Sequence, residues 1–107
     1  MAQGVEVQAA VSYPHTSVRF RLEILPEAEM PEFYGRCYYP YEGNKIVLSS
    51  GLSRAQASIT LCHEIGHLID WYMNQGKQST DEGVREQNAA NIAGGLLTRM
   101  EQIKEGK

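Results

Sequence analysis

Cysteine is scarce in this sequence, basic residues are outnumbered, and no long apolar run occurs. Cys37 and Cys62 are the only cysteines among 107 residues. Their spacing resembles no disulfide framework of small secreted domains, so reduced thiols are expected. Ten Lys and Arg stand against thirteen Asp and Glu, a formal charge of −3. That balance offers no basic field to hold a phosphate backbone, which argues against nucleic acid as a partner. No stretch approaches the roughly 20 apolar residues of a membrane helix. The opening MAQGVEVQAA lacks the charged and apolar regions of a secretion signal. These absences lead us to expect a soluble, cytoplasmic protein with no membrane attachment. At 107 residues the chain reads as a single domain, residues 1–107, with one core that every motif must share.

The first half carries strand patterns. In GVEVQAAV the apolar residues Val5, Val7, Ala9 and Val11 alternate, and in SVRFRLEIL Val18, Phe20, Leu22 and Ile24 face one way while Arg19, Arg21 and Glu23 face the other. PEAEMPE, with Pro26 and Pro31, interrupts the pattern. It resumes in FYGRCYY and NKIVLSS, which are separated by the turn-like PYEGN. A three- or four-stranded sheet is expected. The second half is helical. Ser53 and Gln56 form a capping-box pattern ahead of apolar residues at helical spacing from Ile59 to Met73, and Gly76 is a stop signal. Ser79 and Glu82 mark the start of a second helix, which carries Ala89, Ala90, Ala93, Leu96, Leu97 and Met100. The short connection makes the two helices antiparallel neighbours. The tail EQIKEGK is expected to fray.

The chemistry concentrates in ITLCHEIGHLIDW. Residues four apart on a helix project from one face, so His63 and His67 can offer imidazole nitrogens to one point. Zinc accepts neutral imidazole, lowers the pKa of bound water and keeps a position open for substrate in a catalytic site. Glu64, about 100° around the helix from His63, is close enough to take a proton from that water without binding the metal. Gly66 costs about 1 kcal/mol against alanine inside a helix, which makes sense where another backbone or a ligand approaches closely.

A third protein ligand is needed. Glu86, separated from His67 by 18 residues, is the first choice. Glu82 and Asp81 are alternatives, and carboxylates are also common in a first helical turn for the sake of the macrodipole. Asp70 could orient a ligand imidazole, and Asn91 has similar standing. Tyr38, Tyr39, Tyr41 and His15 are candidates to stabilise an oxyanion. A thiol nucleophile at Cys62 or Cys37 is a weaker alternative, because adjacent helical residues such as Cys62 and His63 diverge by about 100°.

With these residues placed, the sequence resembles the ImmA/IrrE family of zincin-like metallopeptidases. KIVLSSGLSRAQASITLCHEIGHLI is similar to the family's strand, arginine-bearing loop and T-L-x-HE-x-GH helix, and EQNAANIAGGLL to its later Ala-Asn helix. Together these span about residues 45 to 98. Two departures are visible: Asn88 and Ala89 precede Ala90 and Asn91 where an acidic residue is common, and Ile92 stands where an aromatic is frequent. The resemblance implies an α+β fold of minimal zincin-like type: a small N-terminal antiparallel or mixed sheet packed on the HExxH helix and a second antiparallel helix. It implies Zn2+ held by His63, His67 and Glu86, with Glu64 as catalytic base, as in gluzincins. The implied activity is that of a small metallopeptidase cleaving a regulatory or repressor protein, of a phage or mobile element, supplied in trans. The rival expectation is a zincin-fold binding module that docks a regulator without catalysis. An intact Glu64 favours hydrolysis, because a bound metal needs the histidines but only hydrolysis needs that base.

Overall fold

A computed structural model of the chain describes residues 5–12, 15–26, 29 and 34–105, with side chains from 6 to 98 within those ranges. Val5–Ser12 (β1) and Ser17–Leu25 (β2) form an antiparallel hairpin, with Val11 opposite Val18 and Ala9 opposite Phe20. Val18 and Phe20 are buried, as their alternation predicts, and Ala9 and Val11 pack against the same core. Val7 departs from that pattern. Opposite Leu22 on the outer strand, it is 47% exposed.

Of the segment 26–32, only Pro26 and Glu29 lie among the described residues, and Phe33 lies outside them. Gly35–Tyr38 (β3) leads through a 3-10 turn at Pro40–Glu42 into Lys45–Ser49 (β4). Gly43 and Asn44 close this turn with φ of 123° and 55°, backbone that glycine and asparagine adopt at least cost. β4 then inserts between its predecessors, parallel to β2 and antiparallel to β3, giving a mixed sheet in the order β1-β2-β4-β3. As an inner strand it is buried from Ile46 to Ser49, whereas β3 is an edge strand among the described residues.

Arg54–Met73 (α1) starts as expected. Ser53 Oγ accepts the Gln56 N–H, and Gln56 Oε1 accepts the Ser53 N–H. It ends in a Schellman arrangement, with the Gly76 N–H donating to Trp71 O and the Gln75 N–H to Tyr72 O. Gln75 enters the left-handed region first, at φ 54°, and Gly76 follows at 79°. The cap of Glu82–Glu105 (α2) differs from the expectation. Asp81, not Ser79, accepts the Val84 N–H, while Ser79 Oγ accepts the Asp81 N–H. A carboxylate one residue before the helix reaches its free N–H groups more directly and suits the positive end of the dipole. α2 runs on to Glu105, so helix replaces the fraying expected for that part of the tail. Among the described residues no helix is long and apolar enough to cross a membrane.

The architecture is therefore α+β, a four-stranded mixed sheet with two helices. α1 packs against β2, β3 and β4 as well as against α2, and the core joins Phe20, Ile46, Leu68, Ile69, Ala93 and Leu96. Full burial of Leu68 and Ile69, each stabilising by about 1.5–3 kcal/mol, sets the rotation of α1. Three stripes of its remaining surface follow from that rotation. Thr60, Glu64 and Trp71 face β3 and the turn beyond it. His63 and His67 share the next stripe. Gly66 and Asp70 face α2.

At Gly66 the helices touch through backbone. A Cβ there would overlap the carbonyl oxygen of Ala89 and lie 3.1 Å from its Cα. Helix propensity alone predicts that Gly66→Ala stabilises by about 1 kcal/mol, but overpacking costs about 1–3 kcal/mol, and the clashing atoms are backbone that cannot rotate away. Gly66→Ala is expected to lower the free energy of unfolding by about 1–2 kcal/mol, as measured by urea denaturation. A gain in stability would sink this account of the contact.

Candidate metal and catalytic centre

The Gly66–Ala89 contact places Glu86, one turn earlier on α2, over the histidine stripe. Glu86 Oε2 lies 2.7 Å from His63 Nε2 and 3.3 Å from His67 Nε2. One donor atom from each of the three residues lies within 4.8 Å of the others. Donors around a tetrahedral zinc, with bonds of about 2.0–2.1 Å, are separated by roughly 3.3–3.4 Å, so small side-chain shifts would accommodate the ion. The set, two imidazoles and a carboxylate, is of the type that holds catalytic zinc. The imidazole rings meet edge to face at 4.8 Å.

Burial pushes the His67 pKa down, against the attraction of Glu86, and so favours the neutral imidazole that a metal requires. Exposed Glu86 is held below the usual carboxylate range: some desolvation raises it, but hydrogen bonds and charge from His63 and His67 outweigh that effect. Glu64 is raised, chiefly by burial and further by Glu86, while the His63 charge and a hydrogen bond from the Cys37 backbone N–H oppose the rise. That bond ties the carboxylate to the β3 edge.

Glu64, His67 and Glu86 line a cleft of about 390 Å³, within the range of small-ligand sites, and His63 stands beside that lining. β3 supplies Gly35, Arg36 and Cys37 and the turn beyond it Tyr39; α1 supplies Glu64 and His67; α2 supplies Glu82, Arg85 and Glu86. Glu82 therefore shares the cleft but stands outside the group of three, and Asp81 is occupied in capping α2. Gly35 lets β3 approach α1, since a Cβ there would come within 2.7 Å of Thr60 Cγ2. A glycine within a strand is the signal that marks such an approach. Arg85 and Arg36 were not singled out from the sequence, where nothing but the proximity of Arg85 to Glu86 distinguishes them. Arg85 Nη1 donates to Ser79 O at 2.7 Å.

Asp70 does something other than orient an imidazole. Its buried carboxylate accepts the side-chain amides of Asn74, Gln78 and Asn88 at 2.9, 2.8 and 3.4 Å, joining α1, the interhelical loop and α2. His67 Nδ1 is buried without a hydrogen-bond partner among the described residues. Asn91 is exposed and accepts from Gln87, outside the cleft. Of the oxyanion candidates, only Tyr39 lines the cleft. Its hydroxyl shares a hydrogen bond with Gln78, and burial pushes its pKa up to about 12. Tyr38 lies beneath Arg36 and Lys45, each 5.2 Å from its ring centre. His15 is exposed beside the β1–β2 turn, and Tyr41 is exposed beyond the cleft lining.

Compared with known proteins, the chain matches no family model, no curated protein and no solved structure. The resemblance therefore rests on the motif residues themselves.

Neither Cys37 nor Cys62 is in a disulfide, and burial raises both pKa values, that of Cys37 to about 12 with further help from the charges of Glu64 and Glu42. At pH 8 a thiol of that pKa is ionised on the order of one part in ten thousand, which leaves no useful thiolate nucleophile. Iodoacetamide at pH 8 is expected to label neither cysteine rapidly in the folded protein and both in guanidinium, as read by mass spectrometry. Labelling of folded Cys37 within minutes would contradict its assigned environment.

Proposed function

We propose that the protein is a zinc-dependent peptide-bond hydrolase acting on a protein or peptide supplied in trans. The observation that carries this reading is the convergence of His63, His67 and Glu86 on one point, beside the cleft that His67, Glu86 and Glu64 line. A bound zinc would supply Lewis-acid activation of water and of the scissile carbonyl. His63, His67 and Glu86 would hold it, and Glu64, outside that set, serves as the base.

Burial and the rise in its pKa bring Glu64 closer to a proton affinity that suits accepting a proton near neutral pH. Glu64 takes a proton from the attacking water and returns it to the departing amine, so the carboxylate is regenerated. The Cys37 N–H holds the carboxylate in place between steps and adds no proton of its own. The β3 edge suits alignment of an extended substrate by strand addition through Gly35 and the Cys37 carbonyl, since the Cys37 N–H is given to Glu64. The resemblance points to a regulatory or repressor protein as the substrate class, and two cysteines outside any disulfide suit a reducing, cytoplasmic setting.

Metal analysis is expected to find one zinc per chain. Glu64→Gln should retain that zinc and lose cleavage of a mixed peptide pool by about 10²–10⁴-fold, the range for removing a general base. Cleavage that survives in Glu64→Gln would sink hydrolysis by this residue and favour the docking module. Glu86→Ala is expected to weaken zinc binding strongly, as read by chelator competition, and Glu82→Ala to leave it nearly unchanged. The reverse order would transfer the ligand role to Glu82.

A further inference from the structure

The aromatic residues at one end of the cleft have no part in the chemistry above. β3 runs along α1: Gly35 lies against Thr60, the Cys37 N–H reaches Glu64, and just past the strand Tyr39 stacks on Trp71. The Tyr39 and Tyr41 rings are 6.1 Å apart and nearly parallel, at 11°. Trp71 lies 6.4 Å from Tyr39 and 6.5 Å from Tyr41, and Tyr72 meets Trp71 edge-on at 5.0 Å. All these spacings fall within the range of favourable ring contacts. Folding leaves much of this wall open to solvent, for Tyr41 is 74% exposed and Tyr72 36%. Tyr39 belongs both to the wall and to the cleft lining, so the apolar surface is continuous with the candidate catalytic centre.

The outer side of β3, an edge strand among the described residues, gives the wall a position relative to the chemistry. The Ser49 N–H donates to Tyr34 O, and antiparallel alternation then directs the backbone groups of Arg36 and Tyr38 toward β4 and those of Gly35 and Cys37 outward, the Cys37 N–H to Glu64 and the Cys37 carbonyl toward an added chain. A polypeptide extended along that edge passes Glu64 at Cys37 and reaches the wall at Tyr39, two residues further on. Side chains of an extended chain return to the same face every second residue.

We infer that the Tyr39–Tyr41–Trp71 wall is a substrate subsite that takes an aromatic or long aliphatic side chain two residues from the bond beside Glu64. The identity of the occupant rests on the peptidase reading; the wall itself does not. Tyr39 stacks on Trp71, while Tyr41 presents an exposed face to the guest. Tyr41 is thus the residue expected to govern selectivity without supporting the fold.

Trp71 is the only tryptophan in the chain, so its fluorescence reports on the wall directly. Zinc-loaded Glu64→Gln protein would be titrated with Lys-capped oligoserine decapeptides, with and without one Phe. The Phe peptides are expected to shift Trp71 emission saturably and bind roughly tenfold more tightly than the all-Ser parent, as partial burial of one ring allows. Tyr41→Ser should abolish that difference with circular dichroism unchanged, and Tyr41→Phe, which keeps the ring, should restore it. Equal affinity of the two peptides, or a difference that persists in Tyr41→Ser, overturns the subsite. Cleavage by the zinc-loaded protein with native Glu64 separates the two ideas. Phe peptides that bind at Trp71 but are never cut support the subsite and overturn the hydrolase. Peptides cut with no apolar preference two residues from the cleaved bond overturn the subsite and support the hydrolase.

Discussion

A single backbone contact, Gly66 on α1 against Ala89 on α2, organises the candidate site. With no side chain at Gly66, the second helix comes near enough for a short carboxylate arm to reach two imidazoles. Glu86, three residues before Ala89, then meets His63 and His67 with one oxygen. Any side chain at Gly66 would push α2 outward and stretch those distances, even though it would favour the isolated helix. Local helix stability has thus been exchanged for proximity between two elements, a pattern expected where function and local preference conflict.

The contact is reinforced on either side. Asp70, one turn beyond Gly66, gathers amides from Asn74, Gln78 and Asn88. The buried carboxyl group is satisfied by neutral donors and ties the start of α2 and the preceding loop to α1. On the opposite flank, Gly35 admits β3 against Thr60, and the Cys37 N–H meets Glu64. The cleft is therefore held by two close approaches, one helix to helix and one strand to helix, and each depends on a glycine. Between them the surface of α1 divides into parallel stripes for β3, for the histidines and for α2.

Much of this plan was legible in the sequence. Alternation marked β2 through Val18 and Phe20, and the Ser53–Gln56 box marked the start of α1 at the right residue. The four-residue spacing of His63 and His67 was enough to place both on one face. Where the reading departed from the structure, spacing fitted a role that the surroundings did not give the residue. Val7 matches the strand pattern but is 47% exposed. Asp70 has the right spacing to serve His67, yet three amides from the loop and α2 take its oxygens. Ser79 fits a capping box with Glu82, and Asp81, closer to the free N–H groups, displaces it.

What the sequence determined by itself is what neighbouring residues encode: the periods of strand and helix, the caps, and the presence of two imidazoles and a carboxylate on one helix. These depend on backbone geometry repeated every two or 3.6 residues. Tertiary structure alone decided that β4 would insert between β2 and β3, that Gly66 would receive α2, and that Glu86 rather than Glu82 would reach the histidines. It also decided that Glu64 would face the Cys37 N–H and that Tyr39, Tyr41 and Trp71 would form one wall. Each of these joins segments separated by many residues along the chain. Spacing carries no record of such pairings; they follow from how the buried faces of the sheet and both helices fit around one core.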